Sequence, residues 1–228
     1  MRQLLLDWGA ARPQTLDSFV IGRNQELAVL LRRIANRDAN TPDQRFVTLW
    51  GDSGAGKSHV LQALKASGSA RYLSPQMSSR DFTWSAGTDL YLLDDCDRLN
   101  ERQQHAAFNL YNQVHENGGL LVAAAVAPPA QLPLREDLRT RLGWGLVYQL
   151  HGLSDEEKID ALSQSAQERG LALSAGVLPY LLTHFRRDMQ SLSTLLDALD
   201  RYSLETQRPI TMPLLRELLQ LDDTTAPQ

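Results

Sequence analysis

The hydrophobic rhythm of the chain changes from segment to segment. Residues 24–36, NQELAVLLRRIAN, place apolar side chains three and four apart, which predicts a helix with one buried face. Residues 37–44, RDANTPDQ, are polar and rich in turn formers, hence a loop. RFVTLW (45–50) is a short apolar run of β formers. A glycine-rich turn follows it, then KSHVLQALKAS (57–67), which reads as helix. Arg71-Tyr72-Leu73 reads as a short strand and DLYLLDD (89–95) as another, ending in acids. ERQQHAAFNLYNQVHENGG (101–119) predicts a helix closed by Gly118-Gly119. LLVAAAV (120–126) predicts a further strand, stopped by Pro128-Pro129. These strands are apolar on both faces and alternate with helices. The expected class is therefore α/β, a parallel sheet covered by helices on both sides.

After Leu150 the strand-like runs stop. Ser154 with Glu157 three residues on is a capping box, and Gly170 stands where that helix should end. A second helix is expected from near Ser174, with Pro179 disturbing its start. A third is expected from about Asp188 to Thr206. Thr211 then caps a last short helix with Pro213 in its first turn. The division so predicted is a tail at 1–12, an α/β domain at 13–150, a small all-helical domain at 151–222 and a tail at 223–228.

Composition narrows the function classes. Hydrophobic residues make up 43% and charged residues 22% of the 228, the balance of an ordinary globular chain. Lys plus Arg is 23 against 27 for Asp plus Glu, which disfavours broad electrostatic capture of nucleic acid. Cys96 is the single cysteine, so an intramolecular disulfide and a Cys-rich zinc site are excluded. No apolar run approaches the ~18 residues of a spanning helix. A cytoplasmic protein without a membrane partner is the expectation.

The chemistry is concentrated in Gly51-Asp52-Ser53-Gly54-Ala55-Gly56-Lys57-Ser58. It fits G-x-x-x-x-G-K-[ST] at every fixed position, with a strand before and a helix after. Such glycines let successive N–H groups face one phosphate, and the helix N-terminus adds roughly half a positive charge. Lys57 would bridge the β- and γ-phosphates and the Ser58 hydroxyl would ligate magnesium. Asp94 and Asp95 end a buried strand, where a metal-bound nucleotide needs carboxylates: Asp94 for magnesium, Asp95 to orient the attacking water. The strand ending Ala123-Ala124-Ala125-Val126-Ala127 has no polar side chain at its tip to grip a γ-phosphate. Slow hydrolysis by this chain alone is expected, with ADP favoured over ATP as its ligand. Arg135, Arg139 and Arg141 form a group of which one can reach a neighbouring subunit's γ-phosphate, an arrangement that gives about 10³–10⁵ in rate. Arg186-Arg187-Asp188 is read as opening a helix of the helical domain, from which an arginine folds over the phosphates. The five histidines, His59, His105, His115, His151 and His184, show no metal-ligand spacing and are assigned to surface or packing.

Taken together, the phosphate loop, Asp94-Asp95, the segment Leu138-Arg139-Thr140-Arg141-Leu142-Gly143-Trp144-Gly145 and the Arg187-Asp188 pair resemble the AAA+ region of the DnaA replication-initiator family. Thr15-Leu16-Asp17-Ser18-Phe19-Val20-Ile21-Gly22-Arg23-Asn24 resembles that family's adenine-holding leading segment, and the match spans about residues 13–220. Gln3-Leu4-Leu5-Leu6-Asp7-Trp8 is similar to peptides that dock on the sliding clamp of DNA polymerase III. With no counterpart to the initiator's helix-turn-helix domain, the pattern resembles the Hda-type regulatory inactivators within this family. The resemblance implies that Arg141 is an arginine finger offered to ATP on the initiator DnaA. It implies a nucleotide site of Phe19, Val20, Ile21, residues 51–58, His59 and Arg187, binding ADP or ATP. Magnesium falls to Ser58 and Asp94, with Asp95 as the catalytic carboxylate. The clamp, loaded on DNA, would take Gln3, Leu4, Leu6 and Trp8. Direct sequence-specific DNA binding is not expected, and a homo-oligomer stays open.

Two other readings remain at this point. A DnaA-like ATPase or helicase loader acting on single-stranded DNA needs a basic groove with aromatic platforms, which the acidic balance disfavours. A small-molecule P-loop kinase needs a base for its acceptor, and Asp95 is the one candidate.

Overall fold

A computed structural model describes residues 14–38 and 41–217. They divide into two compact units, 14–152 and 153–217. The first runs α1 (Gln25–Ala35), β1 (Phe46–Trp50), α2 (Lys57–Lys65), β2 (Ala70–Leu73), β3 (Leu90–Leu93), α3 (Glu101–Glu116), β4 (Leu120–Ala125), α4 (Glu136–Leu142) and β5 (Leu146–Gln149). Among the described residues the strands form a five-stranded sheet in the order β2-β3-β4-β1-β5, parallel throughout. The register sets Leu49 beside Ala124 and Leu92 beside Val122.

Alternate residues of each strand serve opposite faces. Leu121, Ala123 and Ala125 of β4, with Tyr91 and Leu93 of β3, bury against Leu110, Tyr111 and Val114 of α3 and Leu138 and Leu142 of α4. Leu120, Val122 and Ala124, with Leu49, Leu90 and Leu92, bury against α1 and α2 through Leu31, Ile34, Leu61 and Leu64. The inner strands read as unbroken apolar runs because neither of their faces meets water. The sheet is thus covered on both sides, an α/β fold as the pattern predicts.

Local signals place the element ends. Asn100 and Gln103 close a capping box on α3, whose last residue is Glu116; Gly118, at φ 72°, then turns the chain into β4. The hydrophobic pattern does not mark α4 and β5. The seven-residue α4 continues the four-residue spacing Leu134, Leu138, Leu142. Its acids, Glu136 and Asp137, lie in the first turn, and Arg139 and Arg141 in the last, as the helix dipole favours. β5 is an edge strand whose residues alternate between half-buried and exposed, so no apolar run marks it.

The second unit contains α5 (Asp155–Glu168), α6 (Val177–His184), α7 (Met189–Thr206) and a helical stretch at 212–217. Leu162, Leu181, Leu192, Leu196, Leu199 and Leu214 build its core. The Ser154–Glu157 capping box forms, and Gly170 adopts φ 70° just past α5. Helix α6 starts at Val177 and not near Ser174. The Ser174 N–H donates to the Ile210 carbonyl at 3.1 Å, and Pro179 then falls in the first turn, where no helical hydrogen bond is lost. Asp188 is the N-cap of α7 and accepts from the Ser191 N–H at 2.8 Å, so Arg186 and Arg187 precede this helix and do not open it. Among the described residues no helix is long and apolar enough to cross a membrane.

Candidate nucleotide site and arginine face

The turn after β1 is shaped by its glycines. Gly54 and Gly56 adopt φ 81° and 103°, a left-handed backbone that other residues rarely enter. Gly51 passes so near the end of β5 that a Cβ there would lie 2.3 Å from the Leu150 carbonyl oxygen. Helix α2 begins directly behind, its N-terminus supplying partial positive charge. Lys57 is buried, and its Nζ donates to the carbonyls of Gly51 at 2.7 Å and Asp52 at 2.9 Å, bracing the loop it belongs to. Ser58 is exposed in the first turn of α2, while Val60 and Leu61 behind it are buried.

The leading segment lies against this turn. Thr15 and Ser18 exchange backbone-to-hydroxyl bonds of 3.0 and 3.1 Å, closing a small loop. His59 Nε2 sits 3.3 Å from the Thr15 carbonyl oxygen and 3.4 Å from Ser18 Oγ, and its ring is 5.9 Å from that of Phe19. Burial lowers the His59 pKa, outweighing the bond to Thr15, so the ring is neutral at pH 7. A Cβ on Gly56 would meet the Phe19 ring at 3.4 Å. Phe19, Val20 and Ile21 are half-buried. Buried Asn24 fastens the segment: its Nδ2 donates to the carbonyls of Ile21 and His151, and its Oδ1 accepts from the His151 N–H, at 2.9–3.0 Å. Residues 15–24, 51–59 and 150–152 are thereby gathered into one place. The contribution of His151 is its backbone, which no histidine spacing signals.

Asp94 follows β3 and is 3% exposed. Both carboxylate oxygens already have protein donors: the Tyr72 hydroxyl to Oδ2 at 2.5 Å and the Asp95 N–H to Oδ1 at 2.9 Å. Burial first, and Asp94 next, push the Tyr72 hydroxyl far above its ordinary pKa, so it stays a donor. Asp95 is partly exposed, in a left-handed conformation at φ 46°, with Arg98 3.6 Å away. Burial and the neighbouring carboxylates of Asp94 and Asp97 raise the Asp95 pKa. Cys96 is fully buried and donates to the Ala124 carbonyl, a packing role, with its thiol pushed far up by burial.

Ala123, Ala124 and Ala125 of the β4 tip are buried, and Val126 beyond them is about half exposed. The Val126 N–H donates to Asp97 Oδ1 at 3.0 Å. Among the described residues no group of three or more His, Cys, Asp or Glu could hold a metal by itself. A single buried carboxylate after β3, Asp94, and a hydroxyl in the first turn of α2, Ser58, are the oxygen donors that suit a hard cation that keeps most of its waters and takes further oxygens from phosphates, as magnesium does.

Arg141 belongs to a separate face. It lies in the last turn of α4; its Nε donates to Asn112 Oδ1 of α3 at 2.9 Å, and its guanidinium carbon lies 3.7 Å from the Trp144 ring centroid. The helix end is tied to the sheet by buried Thr48, whose Oγ1 donates to the Leu142 carbonyl at 2.7 Å. Beside it is an open groove of about 680 Å³ lined by Phe108, Arg135, Glu136, Asp137, Thr140 and Arg141. Arg135 is engaged in a fork with Asp137 at 2.9 Å. Asn112 is a site residue that the sequence did not reveal; it stands 29 positions from Arg141 and only the packing of α3 on α4 joins them. In the second unit Arg187 is exposed, 3.6 Å from Asp155. Gln3, Leu4, Leu6 and Trp8 lie outside the described residues.

Comparisons with known proteins agree with this architecture. Residues 11–86 and 80–149 match the family model of the bacterial DnaA ATPase domain, and residues 155–219 match that of the Hda lid domain. An uncharacterized protein of Haemophilus influenzae is 35% identical over 221 residues, covering 91% of this chain and 94% of its own. Domain III of the Thermotoga maritima replication initiation protein DnaA superposes with a TM-score of 0.71 at 18% identity, covering 93% of this chain and 98% of that one. AMPPCP-bound DnaA from Aquifex aeolicus gives 0.65 at 20% identity over 87% and 70%, and a Thermotoga maritima RuvB variant gives 0.66 at 17% over 92% and 72%. The solved structures share the fold, and the two family models together cover both units. The chain is an Hda-like AAA+ member of the bacterial DnaA family.

Proposed function

We propose that this chain is a regulator of replication initiation: bound to the DNA-loaded sliding clamp, it accelerates hydrolysis of ATP carried by the initiator DnaA. Arg141 is the residue it contributes, an arginine finger that enters the partner's site. The observation that carries this reading is the state of Arg141, held at its Nε by Asn112 and on one face by Trp144 beside an open groove. A guanidinium so placed neutralises charge spreading over a transferring phosphoryl group. The chain's own site holds ADP or ATP as a structural ligand. In this reading Phe19, Val20 and Ile21 would lie along the base and residues 51–58 would wrap the phosphates, and Arg187 would be the helical domain's contribution to nucleotide binding. Ser58 and Asp94 would hold magnesium, which would supply charge neutralisation there. Asp95 is the carboxylate available for water, and the apolar β4 tip keeps hydrolysis at this site slow. Gln3, Leu4, Leu6 and Trp8 dock on the clamp, an extended peptide laying apolar anchors into a groove.

The test is a phosphate-release assay with clamp loaded on DNA, ATP-bound initiator and this chain. Arg141→Ala should keep fold and nucleotide affinity and lose stimulation by about 10³-fold or more. Deletion of residues 1–8 should abolish clamp binding. Full stimulation by Arg141→Ala refutes the finger, and unchanged clamp binding after the deletion refutes the tail assignment. Filter binding to single-stranded DNA at moderate salt separates this reading from a helicase loader, which would bind.

A further inference from the structure

Resting on the finger assignment above, we infer that Trp144 is the positioning residue of Arg141: its indole face holds the guanidinium so that the two Nη groups present a ready fork to a phosphate on the neighbouring subunit. Trp144 is 55% exposed, a large apolar side chain that core packing does not explain. It does contact Arg141, with the guanidinium carbon 3.7 Å from the ring centroid; the Phe108 ring is more distant, at 5.5 Å. The Asn112 side-chain Oδ1 accepts from Nε at 2.9 Å. Among the described residues neither Nη has a hydrogen bond or an ion pair, so the outer edge of the fork is left for an acceptor. Arginine recognises phosphate through that planar edge and stacks on aromatics through its face, and the two uses are compatible in one guanidinium.

The main chain that carries the indole is itself fixed. The Trp144 backbone N–H donates to the Arg141 backbone carbonyl at 3.1 Å, closing the helix end beneath the pair. The next residue, Gly145, is pressed on β1: a Cβ there would lie 1.9 Å from the Phe46 carbonyl oxygen. The indole edge meets the His115 ring at 6.4 Å, and His115 in turn lies 5.7 Å from the ring of Phe46. An exposed arginine otherwise samples many rotamers, and a finger that must be ordered at each encounter loses rate. A cation–π stack of this kind corresponds to about a 3- to 30-fold effect.

Two measurements test this. In the phosphate-release assay, Trp144→Ala should lower the maximal stimulated rate about 3- to 30-fold. The chain concentration giving half-maximal stimulation should stay within about twofold, and Trp144→Phe should recover most of the rate. Independently of any partner, the Arg141 Nε–H resonance, assigned by its loss in Arg141→Ala, should be shifted by the indole ring current. That shift should collapse in Trp144→Ala, with thermal melting unchanged. An unmoved resonance, a wild-type maximal rate, or a defect confined to the half-maximal concentration overturns the inference while leaving the finger intact, provided Arg141→Ala is inactive. Full stimulation by Arg141→Ala overturns both.

Discussion

Thr48→Val isolates the bond that fastens the arginine face to the sheet. Thr48 is 3% exposed, and its hydroxyl donates to the Leu142 carbonyl at 2.7 Å. That carbonyl belongs to the last turn of α4, where the helix offers it no N–H. Valine has nearly the same shape but cannot donate, so the substitution leaves a buried acceptor unpaired at a cost of about 1–3 kcal/mol. For a chain of this size that is a drop of about 2–12 °C in Tm. Thr48→Ser keeps the donor and deletes one methyl, a loss of about 0.8 kcal/mol before any cavity effect. Urea unfolding of the three proteins side by side decides the matter. Valine should be the more destabilising replacement, and Thr48→Val should also lower the maximal stimulated rate because α4 carries Arg141. If valine proves no worse than serine, the hydroxyl does not anchor this helix and the reasoning is wrong.

Three further outcomes follow from the geometry. Lys57→Ala should weaken nucleotide binding about 10- to 100-fold in calorimetry, the effect of losing a charged donor to phosphate, and should loosen residues 51–56, seen as faster amide exchange. Tyr72→Phe removes a donor from a buried carboxylate and should destabilise the 14–152 unit by about 1.5–3 kcal/mol. Added nucleotide with magnesium should offset more of that loss than nucleotide with EDTA in a thermal-shift series. Asp188→Ala strips the N-cap of α7 and should cost about 0.5–2 kcal/mol, reported as amide exchange in residues 189–206 while the sheet amides stay as protected as before.

Much of the α/β unit could be read from the chain because the code for it is local. An inner strand such as Leu90–Leu93 is buried on both faces and must be apolar throughout, and a loop such as 51–58 needs glycine wherever φ turns positive. The capping box at Ser154 could likewise be read directly. Elements at the margin were less legible. β5 has an open edge and so relaxes its pattern, and α4 is too short to show a period. The start of α6 is not legible in the sequence because the bond from Ser174 to Ile210 depends on a residue 36 positions away. The same holds for the site. Tyr72 on Asp94 and Asn112 on Arg141 are pairs set by which strands and helices become neighbours, and no spacing in the sequence encodes them. Trp144 stands three positions from Arg141 in the chain, but its contact depends on how the segment after α4 is pressed on β1 at Gly145.

The bond between the Val126 amide and the Asp97 side chain fixes what a polar residue placed at the β4 tip would meet. Grafting an asparagine onto the β4 tip would restore the missing amide, yet the adjacent main-chain donor would remain occupied and an anionic group would still sit at the spot. On the proposed reading, equipping this strand tip to grip a γ-phosphate would therefore involve position 97 as well as position 126.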